Sequence, residues 1–403
     1  MITSVYIAKN VYGGDGLGRL GDGRVVFVPG AWAGEQVRAE IVEEKRNFVR
    51  AKLIEILEPS PERINSGLTV PGMVYAGLSR KGEVAAKAAQ LAEFFERARI
   101  PVPEIVAPST DEPFLNYRNK VVYHFEKVDG RWVIGYRAEP EHVVVDVEQD
   151  PLAVPEINAK LPEIRMSVLA LLTTGPKSVQ RDVAAKGSLT IRWTKKTGVK
   201  WWVGEPVNVP VLKETAAGLS FEVPPDGFWQ MNPVVCEKLV SAVADHYLRG
   251  ASIAPDIVDL YCGVGVLGLA AAKKARDNSL SPRLTGIESG RKAVEFAKRN
   301  AASQGVRDCQ FFSERVGPNI RRLRLGEKTT VILDPPRSGL EMGVARVLVN
   351  SKCPRVIYVS CDPATLTRDL RVLSAAFDVK AVSWFDMFPR TARFETLVCL
   401  ERR

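Results

Sequence analysis

The chain has no cysteine before Cys236, and its six cysteines stand at wide, irregular intervals in the C-terminal half. Disulfide frameworks and zinc knuckles need closer, more regular spacing, so we expect the thiols to be reduced. Histidine is also scarce, because His124, His142 and His246 are the three in the sequence, and they form no H-x-x-x-H pair. A zinc site would lack its usual ligands, and we predict that the protein holds no metal.

Long apolar runs are absent as well. Nowhere do about 18 apolar residues follow one another, and residues 1–6 show no charged flank before an apolar stretch. We therefore expect a cytoplasmic protein that contacts no membrane. The 403 residues, of which 46% are hydrophobic, suffice for two or three domains, and we expect a monomer.

The basic surplus is concentrated towards the C-terminus. The net charge is +9, and residues 226–403 contain 27 basic and 19 acidic side chains. A surplus of this sign favours a polyanionic partner such as nucleic acid. A modest excess of Lys and Arg is also common on ordinary solvated surfaces, so the motifs must decide.

Residues 1–58 alternate short β-type runs with glycine-rich turns. The runs cover residues 5–8, 24–28, 36–42 and 48–57. With little room for helix, this pattern predicts a small closed barrel of the oligonucleotide-binding type. The pieces Gly-Asp-Gly-Leu-Gly-Arg, Val-Phe-Val-Pro-Gly and Gly-Glu-Gln-Val resemble a TRAM domain, an RNA-binding barrel of RNA-modifying enzymes. A generic small barrel is the alternative.

Residues 59–225 are less informative. An alanine-rich stretch predicts an amphipathic helix over residues 83–99. Arg118 and Lys195 each stand near aromatic residues, as cations do on RNA-stacking surfaces. We take both as candidate RNA contacts of a central RNA-binding domain, although aromatic residues on strands more often belong to a core.

After residue 225 strands alternate with helices, which predicts an α/β fold with a doubly wound parallel sheet. The predicted strands are 257–260, 284–287, 309–312, 330–333 and 356–359, and the predicted helices are 266–276, 290–304, 340–350 and 363–376. Ligands of such sheets bind outside the carboxyl ends of the strands, where Gly263, Glu288, Asp334 and Cys361 fall.

Gly263, Gly265 and Gly268 form a G-x-G-x-x-G loop after the first of these strands, and Glu288 follows the second. The pattern fits NAD, because an acid about 20 residues beyond the loop can bind a ribose diol. It also fits S-adenosylmethionine, which carries an adenosine too. No histidine stands at a strand end to relay a proton to a nicotinamide. We therefore favour S-adenosylmethionine and keep an NAD-dependent oxidoreductase as an alternative.

Cys361 has the position of a nucleophile, because it follows a buried strand and precedes a helix predicted to open at Pro363. A free cysteine is only a few per cent thiolate at neutral pH. The unpaired N–H groups at the start of the helix would favour the anion, with Asp362 partly opposing them.

Five motifs occur in order along residues 226–403. They are Phe-Trp-Gln-Met-Asn-Pro from residue 228, Asp-Leu-Tyr-Cys-Gly from 259, Asp-Pro-Pro-Arg from 334, Ser-Cys-Asp-Pro-Ala-Thr from 360, and Asp-Met-Phe-Pro-Arg-Thr from 386, with Glu395 beyond the last. In this combination the chain resembles the uracil-5 methyltransferases of RNA, which make 5-methyluridine in ribosomal and transfer RNA. The resemblance implies a Rossmann-like class I methyltransferase domain over residues 226–403.

The resemblance also implies roles. Cys361 would attack carbon 6 of uracil and so activate carbon 5, Glu395 would remove the carbon-5 proton, and Asp334 would assist catalysis. S-adenosylmethionine would be the cofactor and RNA the partner, with large-subunit ribosomal RNA favoured over transfer RNA because of the barrel. The implied cofactor-binding residues are Gln230, Tyr261, Gly263, Gly265, Glu288 and Asp334, of which Gln230 and Asp334 would also lie near the target base.

The chain departs from the family pattern in three places. Many members hold an iron–sulfur cluster on cysteines near residues 65–80 and 150, where this chain has none, so we expect no cluster. Arg393 replaces a common histidine two residues before Glu395, and its charge could lower the pKa of that acid or contact a phosphate. Val266 replaces a frequent polar residue of the glycine loop. A non-catalytic RNA-binding protein is therefore a second alternative.

Overall fold

The structure, a computed structural model, describes residues 1–138, 143–250 and 254–403, and His142 lies outside these ranges. All six cysteines are free thiols. Within the described ranges, no helix has both the length and the apolar character that crossing a bilayer requires.

A closed barrel forms the N-terminal part of the molecule. Its strands are β1 (Ile2–Asn10), β2 (Gly16–Arg19), β3 (Val25–Val28), β4 (Gln36–Glu44) and β5 (Phe48–Glu58), in the order β1-β2-β3-β5-β4. Side chains of a strand alternate between its two faces, and small apolar residues such as Val5, Val26 and Ala39 fill the interior. The predicted barrel is confirmed.

Helix α1 (Arg80–Ala98) and the short strand β6 (Ile105–Val106) follow the barrel. The Ser79 hydroxyl caps α1 by accepting a hydrogen bond from the Gly82 N–H (3.0 Å). The buried face of α1 includes Leu91 and Phe95. The helix predicted over residues 83–99 is therefore present and begins three residues earlier.

The central part is an antiparallel sheet with helices on one face. Its elements are β7 (Lys120–Val128), β8 (Arg131–Ala138), β9 (Val143–Asp146), α2 (Pro155–Thr173), α3 (Lys177–Lys186), β10 (Ser188–Thr194) and β11 (Gly198–Val203). The strand order is β11-β10-β7-β8-β9. Helix α2 places Ile157, Leu161 and Ile164 in the core beneath the sheet.

The family resemblance would place cluster cysteines in two segments, and each of these segments contacts the central sheet through apolar packing or hydrogen bonds. Val70 and Met73 lie in the core of the central sheet. Asp150 accepts hydrogen bonds from the hydroxyls of Tyr123 (3.1 Å) and Tyr136 (2.8 Å). These contacts hold both segments against the sheet.

The C-terminal part contains an eight-stranded sheet in the order β16-β15-β14-β17-β18-β20-β19-β6. In chain order its elements are β12 (Leu212–Ala216), β13 (Leu219–Val223), α4 (Pro233–Gly250), β14 (Asp256–Leu260), α5 (Val266–Asp277), β15 (Leu284–Glu288), α6 (Arg291–Ser303), β16 (Cys309–Ser313), α7 (Val316–Asn319), a 3-10 turn (Ile320–Arg322), β17 (Thr329–Leu333), α8 (Val344–Asn350), β18 (Arg355–Ser360), α9 (Pro363–Leu373), β19 (Phe377–Phe385) and β20 (Glu395–Arg402). The predicted α/β fold is confirmed. Strands β14 to β18 run parallel, whereas β20 is antiparallel to both β18 and β19, which the sequence pattern did not predict.

The packing groups the chain differently from the predicted divisions at residues 58 and 225. Helix α1 lies against α9, and β6 extends the C-terminal sheet beside β19. The hairpin of β12 and β13 packs against α4 and α6. Residues 80–106 and 212–223 therefore lie with the C-terminal sheet, because their apolar side chains find their core there.

Candidate active site

The glycine loop between β14 and α5 allows close approach of a ligand. Gly263 and Gly265 have φ angles of +54° and +88°, which residues with a Cβ seldom adopt. A Cβ on Gly263 would point into open space, whereas a Cβ on Gly268 would lie 2.7 Å from Asp259 Oδ2. Asp259 is buried and accepts a hydrogen bond from the Gly268 N–H (2.9 Å), so it ties β14 to α5.

Glu288 stands beside this loop at the end of β15. Its half-exposed carboxylate accepts hydrogen bonds from the N–H groups of Gly263 (3.2 Å) and Gly290 (2.7 Å). The loop over residues 259–268 contains no Lys or Arg to bind a phosphate. The Glu288 carboxylate can bind a ribose diol, and it lies beside an open glycine loop that contains no cation. This combination fits S-adenosylmethionine.

Tyr261 and Gln230 are two further residues of the predicted cofactor site. The backbone of Tyr261 adopts the left-handed conformation (φ +64°). Its hydroxyl accepts a hydrogen bond from the Glu341 N–H (3.2 Å), which connects the loop after β17 to the glycine loop. Gln230 precedes α4 and is half-buried. Asn232 caps that helix by accepting from the Val235 N–H (3.3 Å), so capping does not account for the Gln230 amide.

Cys361 lies half-buried between β18 and α9. The N–H groups of Ala364 (3.1 Å) and Thr365 (3.0 Å) at the start of α9 donate to Asp362 Oδ1. The carboxylate of Asp362 therefore takes the donors that we expected to favour a Cys361 thiolate. That expectation is wrong, because the side chain of the next residue, Asp362, already accepts the hydrogen bonds of these N–H groups.

Strand β20 brings Glu395 close to Cys361. Because β20 is antiparallel to β18, Thr396 pairs with Ser360, and the residues before and after this pair, Glu395 and Cys361, meet at one edge of the sheet. Glu395 is only 3% exposed, and within the described structure its Oε2 has no hydrogen-bond partner. A buried carboxyl oxygen without a partner is poised to interact with a ligand.

Asp334, at the end of β17, adds a second carboxyl group. Burial raises the pKa of Asp334 to about 7. Burial and the charge of Asp334 raise the pKa of Glu395 well above its usual range, and Arg337 lowers it. Burial, followed by the charges of Glu395 and Asp334, raises the pKa of the Cys361 thiol to about 12. In the free protein at neutral pH, the Cys361 thiol therefore carries its proton.

Arg337 is a member of the site that the sequence reading missed. It follows Asp334 by three residues on the loop after β17 and opposes the rise in pKa of both Cys361 and Glu395. Its place in the Asp-Pro-Pro-Arg motif at a strand end was the available signal. Arg393, which we expected to influence Glu395, instead forms an ion pair with Asp362 (3.1 Å).

The two predicted RNA contacts differ in setting. Arg118 is half-buried and directs its guanidinium to the hydroxyls of Tyr117 (3.4 Å) and Tyr136 (3.5 Å). This geometry favours a structural role for Arg118 in the core of the central sheet. Lys195 is exposed on the turn between β10 and β11, where it can reach a polyanion.

Comparisons with known proteins decide the family. Residues 203–403 match the model of the tRNA (uracil-5-)-methyltransferase family, and residues 5–54 match the TRAM domain. An uncharacterized RNA methyltransferase of Caldanaerobacter subterraneus subsp. tengcongensis is 31% identical over 96% of this chain and 95% of its own length. The chain belongs to the tRNA (uracil-5-)-methyltransferase family. It is an RNA uracil-5 methyltransferase, which confirms the predicted activity and excludes the oxidoreductase and non-catalytic alternatives.

Two other similar proteins differ in their RNA. The 23S rRNA (uracil(1939)-C(5))-methyltransferase RlmD of Methylococcus capsulatus is 28% identical over 99% of this chain and 97% of its own. The solved tRNA (uracil-54, C5)-methyltransferase of Pyrococcus abyssi, in complex with S-adenosyl-L-homocysteine, has a TM-score of 0.73 at 20% identity and covers 98% of this chain and 100% of that one. The second likeness supports the fold.

Proposed function

We propose that this chain transfers a methyl group from S-adenosylmethionine to carbon 5 of a uridine in large-subunit ribosomal RNA. The meeting of Cys361, Glu395 and Asp334 at one edge of the sheet, beside the glycine loop, carries the proposal. A thiol next to a buried carboxyl group suits a uracil ring, because carbon 5 needs a nucleophile at carbon 6 and a base for its own proton.

The Cys361 sulfur attacks carbon 6 and forms an S–C6 bond. The electrons of the C5–C6 double bond move into an enolate, which makes carbon 5 nucleophilic. S-adenosylmethionine, when bound, would supply the methyl group as a sulfonium electrophile, so that a C5–CH3 bond forms, the S–CH3 bond breaks and S-adenosylhomocysteine leaves. Glu395 then removes the proton from carbon 5, the C5–C6 double bond forms again, and the S–C6 bond breaks.

The carboxyl groups of the site can accept and donate the protons that move in this reaction. The thiol has to lose its proton before attack, and the Asp334 carboxyl, whose pKa burial raises to about 7, is a suitable acceptor. Once protonated, Asp334 can donate a hydrogen bond to the oxygen on which the enolate charge develops. The Gln230 amide, a donor and an acceptor, can pair with the edge of the uracil ring.

One observation supports ribosomal RNA over transfer RNA. The relative from Methylococcus capsulatus carries the name of a 23S rRNA methyltransferase. In our proposal the barrel (residues 1–58) and the central sheet, including Lys195, hold the RNA while the target uridine leaves its stack. One chain supplies Cys361, Glu395, Asp334 and the cofactor loop, so we propose that it acts as a monomer.

A ribosomal RNA fragment that contains 5-fluorouridine tests the nucleophile. Fluorine cannot leave carbon 5 as a proton does, so the covalent adduct accumulates and is visible as a shifted band in denaturing gels. We expect the adduct with the wild type and with Cys309→Ala, a control at the remote edge strand, and none with Cys361→Ala. Equal yields from the wild type and Cys361→Ala would contradict the assignment.

The RNA class is tested by mapping 5-methyluridine in a strain that lacks this protein. We expect one site to vanish from large-subunit ribosomal RNA and to return with a plasmid copy of the wild type. Loss of 5-methyluridine from transfer RNA alone would overturn the choice of substrate.

A further inference from the structure

The barrel reaches the nucleophile through the loop between β1 and β2. The Tyr12 hydroxyl, in this loop, accepts a hydrogen bond from Arg393 Nη1 (2.9 Å) and lies 3.5 Å from Asp362 Oδ2. Arg393 Nη1 also pairs with the same Asp362 oxygen (3.1 Å). Three segments far apart in sequence therefore meet directly beside Cys361.

Aromatic packing holds the ring of Tyr12 in this place. It meets Phe94 of α1 edge to face, with the ring centroids 5.5 Å apart, and Phe394 at 6.0 Å. The Arg393 guanidinium lies 5.5 Å from the centroid of the same ring. The hydroxyl is thus directed by a ring that touches α1 and the approach to β20.

The cluster connects to both reacting groups of the protein. Asp362 follows Cys361, and its other oxygen, Oδ1, caps α9 through the N–H groups of Ala364 and Thr365. Arg393 stands two residues before Glu395. The ion pair of Asp362 and Arg393 therefore links the segment that holds Cys361 to the segment that holds Glu395.

We propose that Tyr12 is a positioning residue for methyl transfer. Through its contacts with Arg393 and Asp362, Tyr12 sets the distance between the Cys361 sulfur and the Glu395 carboxyl. The inference rests on the proposed roles of Cys361 and Glu395. It gives the barrel a part in the chemical step in addition to RNA binding. Burial raises the pKa of Tyr12 to about 12, so the hydroxyl keeps the proton that it can offer to Asp362.

Tyr12→Phe tests this role, because it removes the hydroxyl and keeps the ring on Phe94 and Phe394. In single-turnover reactions at saturating RNA and S-adenosylmethionine, we expect methylation to slow roughly 10- to 100-fold, the size of effect that a small misplacement of reacting groups produces. The dissociation constant for RNA should stay unchanged. Tyr6→Phe, the same change at a residue of β1 that is 58% exposed, should alter neither quantity.

Variants of Arg393 separate positioning from general loss of structure. Arg393→Lys keeps a cation for Asp362 and should retain more activity than Arg393→Ala. If Tyr12 acts through Arg393, the double variant Tyr12→Phe/Arg393→Ala should be no slower than Arg393→Ala alone. Fully additive losses would show that the hydroxyl acts independently and would overturn the proposal.

The 5-fluorouridine adduct distinguishes the two levels of failure. If the wild type forms no adduct, the proposed function itself fails. If the wild type forms it and Tyr12→Phe does so at the same rate, only the role of Tyr12 is wrong. A Tyr12→Phe variant that binds RNA weakly but reacts at the wild-type rate once saturated would make Tyr12 an RNA contact.

Discussion

Replacing Lys87 with methionine should destabilise the protein strongly, although the two side chains have similar length. Lys87 is fully buried on α1, and its Nζ donates to Glu83 Oε1 (2.7 Å) and to Asp386 Oδ1 (2.7 Å). Methionine fills the space of the lysine stem and removes the ammonium group, with its charge and its hydrogen-bond donors. Two buried carboxylates would then lose one of the cations that both contact, while the Arg80 guanidinium would remain near each of them.

Removing one partner of a buried ion pair costs about 3–5 kcal/mol. Both carboxylates keep another partner in this case, because Glu83 Oε1 accepts from the Arg390 N–H (2.7 Å) and Asp386 contacts the Arg80 guanidinium. We therefore expect the low end of the range, about 3 kcal/mol, which is somewhat more than 100-fold in the folding equilibrium constant.

Urea unfolding followed by tryptophan fluorescence measures this loss. Lys81→Met is the matched control, because Lys81 stands on the same helix with its side chain 83% exposed, and it should change the free energy of unfolding by less than about 0.5 kcal/mol. A loss below about 1 kcal/mol for Lys87→Met would refute the reasoning, since the carboxylates would then tolerate burial without the lysine.

Three further predictions concern the crevice. Gly268→Ala should lower the free energy of unfolding by about 1–3 kcal/mol, because the new Cβ would lie 2.7 Å from Asp259 Oδ2 and 2.8 Å from Leu284 Cδ1, and urea unfolding measures it. Glu288→Gln should weaken S-adenosylhomocysteine binding about tenfold in calorimetry, because an amide accepts hydrogen bonds from a ribose diol less strongly than a carboxylate. Alkylation of Cys361 by iodoacetamide should accelerate about tenfold per pH unit between about pH 7 and pH 10, because only the thiolate reacts and burial raises the thiol pKa to about 12. Peptide mass spectrometry follows that reaction.

Each of these predictions has its own counter-result. Gly326→Ala is the control for Gly268, because a Cβ at Gly326 meets no atom within 4 Å, and equal stability of the two variants would rule out the clash. Unchanged affinity of Glu288→Gln would remove Glu288 from the cofactor site. An alkylation rate that stops rising near pH 9 would show that the pKa of Cys361 is not raised, because an ordinary thiol, with a pKa of about 8.5, is mostly thiolate there.

Much of the fold follows from local sequence patterns. The predicted strands 257–260, 284–287 and 356–359 agree with β14, β15 and β18 within one residue at every end, because buried parallel strands are short apolar runs with clear boundaries. Cys361 and Glu288 could be placed in the crevice for the same reason, since the carboxyl ends of parallel strands share one edge.

The contacts between distant segments could not be predicted in this way. No periodicity links Tyr12 to Asp362, or α1 to α9, because such contacts depend on how whole units pack. The expectation that the N–H groups at the start of α9 stabilise a Cys361 thiolate was wrong for a related reason. The competition between a thiolate and the Asp362 carboxylate for the same N–H groups is settled by side-chain geometry, which spacing does not reveal.

The reversed direction of β20 has a practical consequence for handling the molecule. Glu395 stands at the first residue of this strand, and the chain then runs away from the crevice to Arg402. A strand rises about 3.4 Å per residue, so a dye or surface anchor attached at Arg403 lies more than about 20 Å from Glu395. It stands at the end of the strands opposite the crevice. Tethering the enzyme there should leave the path for a long RNA open, which suits single-molecule observation of base extrusion.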